Sequence, residues 1–217
     1  MVAMSRTKLI GLCLLTTFAL GAATASSASA FAWWVEKEGG GEEILAEGVK
    51  EPFNNASVVH KPFVLKGKVG SVPFESSCSL ASYEGGYIEG LVGFGATAIS
   101  FEKCSVSKPV ACKIEGEKIK TVALVGNIKK ASGTKVEFEL KAVSGTTFTK
   151  FKLLGAGCPA TVEVAGTARG EVTNPKEISK EKSFQFQTKE KGLTISGEAA
   201  ESTGEPGYSS GRGWGAH

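Results

Sequence analysis

Few residues in this 217-residue chain are of types that carry chemistry. There are five cysteines, two histidines (His60 and His217) and three tryptophans, and there is no aspartate at all. Zinc held by four cysteines uses close C-x₂₋₄-C pairs. The nearest pair here, Cys104 and Cys112, has seven residues between its members. A C-x-x-C redox motif is also missing. Cys13 falls in an apolar leader, which leaves Cys78, Cys104, Cys112 and Cys158. In an exported chain, four cysteines read as two disulfides.

The pairing stays open at this level. The stretch FEKCSVSKPVACKI reads as two strands of one hairpin, which favours Cys104–Cys112 with Cys78–Cys158. Face parity opposes it: Cys104 shares a face with Glu102, opposite Phe101, so such a bond needs a bulge or a Cys104 beyond the regular strand. Loop-closure entropy does not choose, because the hairpin arrangement and Cys78–Cys104 with Cys112–Cys158 each total about 7–8 kcal/mol. Ser105, Val106, Ser107, Lys108 and Pro109 form a candidate exposed loop, which an inhibitor-like module would present if its flanking cysteines paired.

The remaining candidates are weaker. His60 in VVHKPF is a general base only with partners that sequence does not show, and a structural or solvated histidine is the simpler reading. No GxSxG elbow, Walker pattern or complete dinucleotide loop is present. Two glutamates of a glycosidase must lie a few ångströms apart, but here glutamate alternates with lysine or apolar residues, as on a solvated strand face. Trp33-Trp34 and Trp214 are either sugar platforms or core and edge cover; on a strand, adjacent residues face opposite ways. Asn55-Ala56-Ser57 matches a glycosylation sequon. No catalytic residue, cofactor or metal is assigned.

These residues sit on β elements. In TKVEFELKAV, Val136, Phe138, Leu140 and Ala142 alternate with Glu137, Glu139 and Lys141, the period of a half-buried strand. SFQFQT, FVLKGKV, AISFEK, ATVEVAG and LTISG repeat the pattern, with glycine and proline turns between them. IKTVALVGNI is almost continuously apolar and reads as a doubly covered central strand. Phe148 and Phe151 are an odd number apart, which predicts a bulge near Thr149. The glycines of YIEGLVGFGATAI predict crowded backbone contacts. EEILAEGVKEP holds at most one helical turn. The fold class is all-β, an antiparallel two-sheet sandwich stapled by two disulfides, with a partly open β-barrel as the alternative.

Residues 1–30 read as a signal peptide: Arg6 and Lys8, an apolar run from Leu9 to Leu20, then Ala28-Ser29-Ala30. Cleavage near Ala30 leaves a secreted or cell-surface protein with no membrane span. Its 187 residues suit a single domain over 31–199. Residues 31–50 form either a first hairpin around Gly39-Gly40-Gly41 or a loosely attached arm, and residues 200–217 read as a flexible glycine-rich tail. Loss of Arg6 and Lys8 takes the net charge from +3 to about +1. The remaining cations are lysines interleaved with glutamates, apart from Arg169 and Arg212, so no nucleic-acid partner is expected.

The pattern F-x-x-C-x-V-x-x-P-x-x-C, formed by Phe101, Cys104, Val106, Pro109 and Cys112, resembles a motif in exported, β-rich proteins of soil actinobacteria. Gly157-Cys158-Pro159, Val164-x-Gly166 and the SGEAA strand extend the likeness over about two-thirds of the chain beyond the leader. The resemblance implies export and the cysteine pattern; it carries no activity and no site. The expected function is that of a non-enzymatic extracellular or cell-surface module contacting another protein or a polysaccharide. An extracellular hydrolase using glutamates or His60 is the alternative, and an inhibitor-like module the second.

Overall fold

The computed structural model describes residues 31–130 and 135–217; the leader and the turn at Ser132-Gly133 lie outside the described residues. Fifteen strands follow in order: β1 (Trp33–Glu36), β2 (Glu42–Ile44), β3 (Lys50–Val69), β4 (Val72–Glu84), β5 (Gly86–Glu89), β6 (Gly93–Ala96), β7 (Ala98–Lys108), β8 (Lys113–Ile114), β9 (Lys118–Lys120), β10 (Leu124–Lys130), β11 (Val136–Ala142), β12 (Thr147–Leu154), β13 (Thr161–Val172), β14 (Ser179–Ile195) and β15 (Glu198–Ala216). A 3₁₀ turn, Glu115–Glu117, precedes β9. No helix among the described residues is long and apolar enough to cross a membrane.

The strands close into a barrel. Antiparallel pairing runs β15–β14–β13–β11–β10–β6–β5–β3, and β3 returns to β15. The alternative architecture therefore forms, as a closed eight-stranded ring, and the two-sheet sandwich does not. Closure needs strands long enough to pair on both edges throughout, and β3, β14 and β15, at 20, 17 and 19 residues, supply them.

The outer strands curl into a second ring on the same long strands. β4, β7 and β9 extend from β3, and β12 extends from β13. One bridge, Thr121↔Thr149, joins the two sets. Register breaks between Gly166 and Gly170, between Thr188 and Leu193, and between Thr203 and Tyr208 mark where β13, β14 and β15 pass from one ring to the other. IKTVALVGNI passes likewise: it splits into β9 and β10, with Thr121 buried between them. Its continuous apolar character belongs to a chain leaving one core for another, rather than to one central strand. The expected bulge in β12 falls between Thr147 and Thr149 and buries both Phe148 and Phe151.

Both interiors are filled. The void among Phe63, Leu65, Phe101, Phe148, Val164 and Phe186 is about 30 Å³, and the one among Phe53, Tyr83, Phe94, Leu140 and Phe184 about 10 Å³. Phe184 stacks on Phe94 at 5.1 Å and meets Phe138 at 5.0 Å and Tyr208 at 4.9 Å; Tyr208 stacks on Trp214, which Trp33 meets edge-on at 5.0 Å. Glycines leave room for these rings, as crowding in YIEGLVGFGATAI predicts: a Cβ on Gly95 would lie 2.6 Å from the Leu124 carbonyl oxygen.

At the C-terminus the expectation is corrected, and at the N-terminus one of the two alternatives forms. Residues 200–217 are no flexible tail but most of β15, hydrogen-bonded to β14 and β3, with Tyr208 and Trp214 fully buried. Some of their glycines serve close approach: Gly204 has φ +154°, and a Cβ there would stand 2.7 Å from Phe63 Cα. Of the two readings of residues 31–50, the first hairpin around Gly39-Gly40-Gly41 forms and the loose arm does not: β1 pairs with β2 and with β15, and Trp33 is buried. Glu42–Ile44 within this stretch is strand β2.

Truncation after Ala199 is expected to abolish cooperative folding. Trp214→Ala is expected to cost about 3–5 kcal/mol, read by denaturant unfolding; a loss under about 1 kcal/mol would contradict a closing role for β15.

Candidate functional site

With the interiors filled, a binding site has to lie on the surface. A half-open cleft of about 600 Å³ lies at the end of the second ring. Cys104, Ser105 and Val106 of β7 form one wall, and Lys113, Ile114, Gly116 and Glu117 form the other. Val110, Cys112 and Leu154 complete the rim. Val110 is 86% exposed and Leu154 51% exposed, a marked apolar presence for a rim in water.

Both disulfides anchor this cleft. Lys103 adopts φ +52°, and the local twist puts Cys104 on the same buried side as Phe101. Cys104 then faces Cys78 directly across the β4–β7 pair and bonds to it. Cys112 bonds to Cys158. Its amide donates to the Pro109 carbonyl at 3.0 Å, so the turn after Pro109 is tied to the loop around Gly155. The hairpin staple Cys104–Cys112 does not form. The parity break that it needed exists, but Cys104 lies within β7 opposite β4, while Cys112 lies beyond the turn.

The candidate loop Ser105–Pro109 is therefore held at each end by a different bond. Ser105, Ser107 and Lys108 are exposed, and Val106 and Pro109 are half-buried. Lys108 Nζ lies 3.6 Å from Glu75, and Ser107 Oγ donates to the Glu75 carbonyl at 3.4 Å. Leu154, Gly116 and Glu117 escaped sequence reasoning. The available signal was an apolar residue at an outward position: Leu154 follows buried Leu153 and breaks the alternation.

The other sequence candidates do not gather at the cleft. The side chains of His60, Asn55 and Ser57 lie outside the described residues. Trp33 is core, whereas Trp34 is half-buried, stacks on His217 at 4.7 Å and donates to its carbonyl at 3.1 Å. Many glutamates form cross-strand pairs with cations, among them Glu102–Lys118 and Glu84–Lys120 at 2.9 and 2.8 Å and Glu139 with Lys129 and Arg169 at 2.9 and 3.1 Å. The hydrogen bond from Lys120 holds the Glu84 carboxyl below the usual range, and that from Lys129 does the same for Glu139. Glu163 is lowered by the Thr147 hydroxyl first and Lys150 second. A glycosidase acid needs the opposite shift. Among the described residues, no cluster of three or more Cys, His or Glu is arranged for a metal ion.

Compared with known proteins, the chain matches no family model, no curated protein and no solved structure.

Peptide mapping of the non-reduced protein is expected to recover Cys78–Cys104 and Cys112–Cys158 peptides. Paired Cys112→Ser and Cys158→Ser is expected to cost about 4 kcal/mol in denaturant unfolding. Glu163, lowered in the folded state, contributes stability that is present above the ordinary carboxyl value of 4.5 and lost as pH falls through the folded value. Thr147→Val is expected to raise the Glu163 pKa in an NMR titration and move acid unfolding to higher pH; an unmoved titration would contradict the hydroxyl's role.

Proposed function

We propose that the protein is an exported, non-enzymatic binding module of the extracellular space or cell surface, and that it makes contact through the cleft beside Ser105–Pro109. The observation that carries this reading is that two disulfides, through Cys104 and Cys112, meet at one cleft of about 600 Å³. Staples placed there stiffen a surface rather than a core that is already packed, and a stiff surface loses less freedom on binding. The cleft size falls within the range of ligand sites. The leader pattern, the disulfides of an oxidising compartment and the resemblance to exported actinobacterial proteins support export. Its partner class is an extracellular protein or polysaccharide.

The exposure of Lys108 and Val110, with a staple on either side, favours one second reading, an inhibitor-like loop. A protease panel with a Lys108→Ala control tests it, and absence of inhibition at micromolar concentration ends it.

The main test has two stages. Expression with residues 1–30 intact is expected to give a medium fraction beginning at Phe31. Glycan and peptide arrays probed with wild type and with Val110→Asp are then expected to give signals that the variant loses while keeping its unfolding midpoint. Retention of the chain inside the cell, no wild-type signal on either array, or signals indifferent to Val110→Asp would each count against the reading.

A further inference from the structure

We infer that the cleft takes a segment of another polypeptide in extended conformation, added to the free edge of β7 as a further strand. The inference rests on the cleft being a binding site and names the chemistry of its occupant.

β7 is paired fully along one edge and only partly along the other. β4 runs beside it from Ala98 to Lys108. On the opposite edge, β9 meets only Ser100, Phe101 and Glu102. Between β8 and β9 the chain turns at Glu115–Glu117, where Gly116 and Glu117 take φ +66° and +52°. Lys113 and Ile114, on the far side of that turn, form β8 and pair with β12 instead. The arms therefore fork beyond Glu102, and the cleft lies in the fork. Cys104, Ser105 and Val106 stand on one side of it, Lys113 and Ile114 on the other. Among the described residues, no strand pairs with β7 on this edge beyond Glu102.

Main-chain groups point into the fork. Along a strand, side chains alternate between faces while N–H and C=O groups alternate between edges, so the inward residues of β7 share one edge. Ile99, which lines the second ring's interior with Phe101, identifies that edge. Its amide donates to Thr121 Oγ1 at 2.8 Å, and its carbonyl accepts from the Thr121 amide at 2.9 Å, both on the β9 side. Lys103 shifts the alternation by one residue, and Cys104 then points inward. Val106 packs against the core, while Ser105 and Ser107 are exposed. The main-chain groups of Cys104 and Val106 therefore face the fork, and those of Ser105 face β4. The spacing agrees: the Cα atoms of Cys78 and Cys104 are 4.0 Å apart, the close approach of a pair that exchanges no main-chain hydrogen bonds.

Amides and carbonyls repeating at every second residue match the backbone of an extended chain, which carries the same groups at the same repeat. An unpaired edge is a template for such pairing. With β8 and the 3₁₀ turn as its facing wall, the fork admits a single segment rather than the edge of a second sheet. The added strand continues the line that β9 leaves, along an edge from Cys104 to Lys108 about 17 Å long. Its side chains meet exposed Val110 and Leu154 at the rim, and Lys113 and Glu117, which make no ion pair among the described residues. The disulfides fix both sides of the fork: Cys104 holds β7 to β4, and Cys112 holds the start of β8 to Cys158.

Hydrogen exchange and a peptide array test this with the disulfide-intact protein. Without peptide, the Cys104 and Val106 amides are expected to exchange fast and the Ser105 amide slowly. Short capped peptides that alternate apolar and polar residues are arrayed unmodified, N-methylated at odd positions and N-methylated at even positions. An added strand bonds through the amides of every second residue, so each binder is expected to lose about tenfold in one methylated series and little in the other. The strongest binder is expected to slow exchange at Cys104 and Val106. Four results would each overturn the inference: slow exchange at those amides in the free protein, no binder in the library, equal effects of the two methylated series, or exchange at Cys104 and Val106 unchanged by the strongest binder. Glycan-array signals lost on Val110→Asp, beside a peptide library without binders, would leave the cleft a binding site and remove only strand addition.

Discussion

The structure depends on β15 being hydrogen-bonded along both edges. It pairs with β14 on one side and with β3 on the other, and this contact turns an open array into a ring. Without it, β3 and β14 would each present a long unpaired edge, an invitation to aggregation that barrels remove by closure. The aromatic rings follow from the same contact. Tyr208 and Trp214 come from β15 and reach Phe184 and Trp33 from neighbouring strands. Burial raises the Tyr208 phenol well above its ordinary value, with Tyr83 adding to the shift, so the hydroxyl stays neutral in the core.

Closure also explains where function has room to sit. An eight-stranded barrel is just wide enough to be filled by side chains, and both rings here are. Much of the surface is a lattice of lysine–glutamate pairs, individually weak because water and salt screen them, which hydrates the outer strands without singling out a patch. The cleft at the end of β7 departs from that lattice. It combines exposed apolar side chains, charges without local partners and two covalent anchors.

Strand composition, the bulge at Thr149 and the crowding around Gly95 were legible because they depend on side-chain parity and volume, which are local. At Cys104 the sequence offered a parity break only as the condition for a Cys104–Cys112 bond; the break exists, with Phe101 and Cys104 both buried and Lys103 out of the regular strand, but it serves the bond to Cys78. What parity does not carry is the identity of the facing strand. The choice of Cys78 rather than Cys112 was decided by β4 lying beside β7.

The ends of the chain separate the two levels most clearly. By itself, the sequence determined an all-β chain with four cysteines for two disulfides and a solvated lysine–glutamate exterior. Periodicity and residue type act over a few residues and need no partner. Only the tertiary structure decided that ESTGEPGYSSGRGWGAH is the closing strand. Glycine permits a free chain and a close approach equally, and which one prevails is set by whether a neighbour such as Phe63 stands where a Cβ would be.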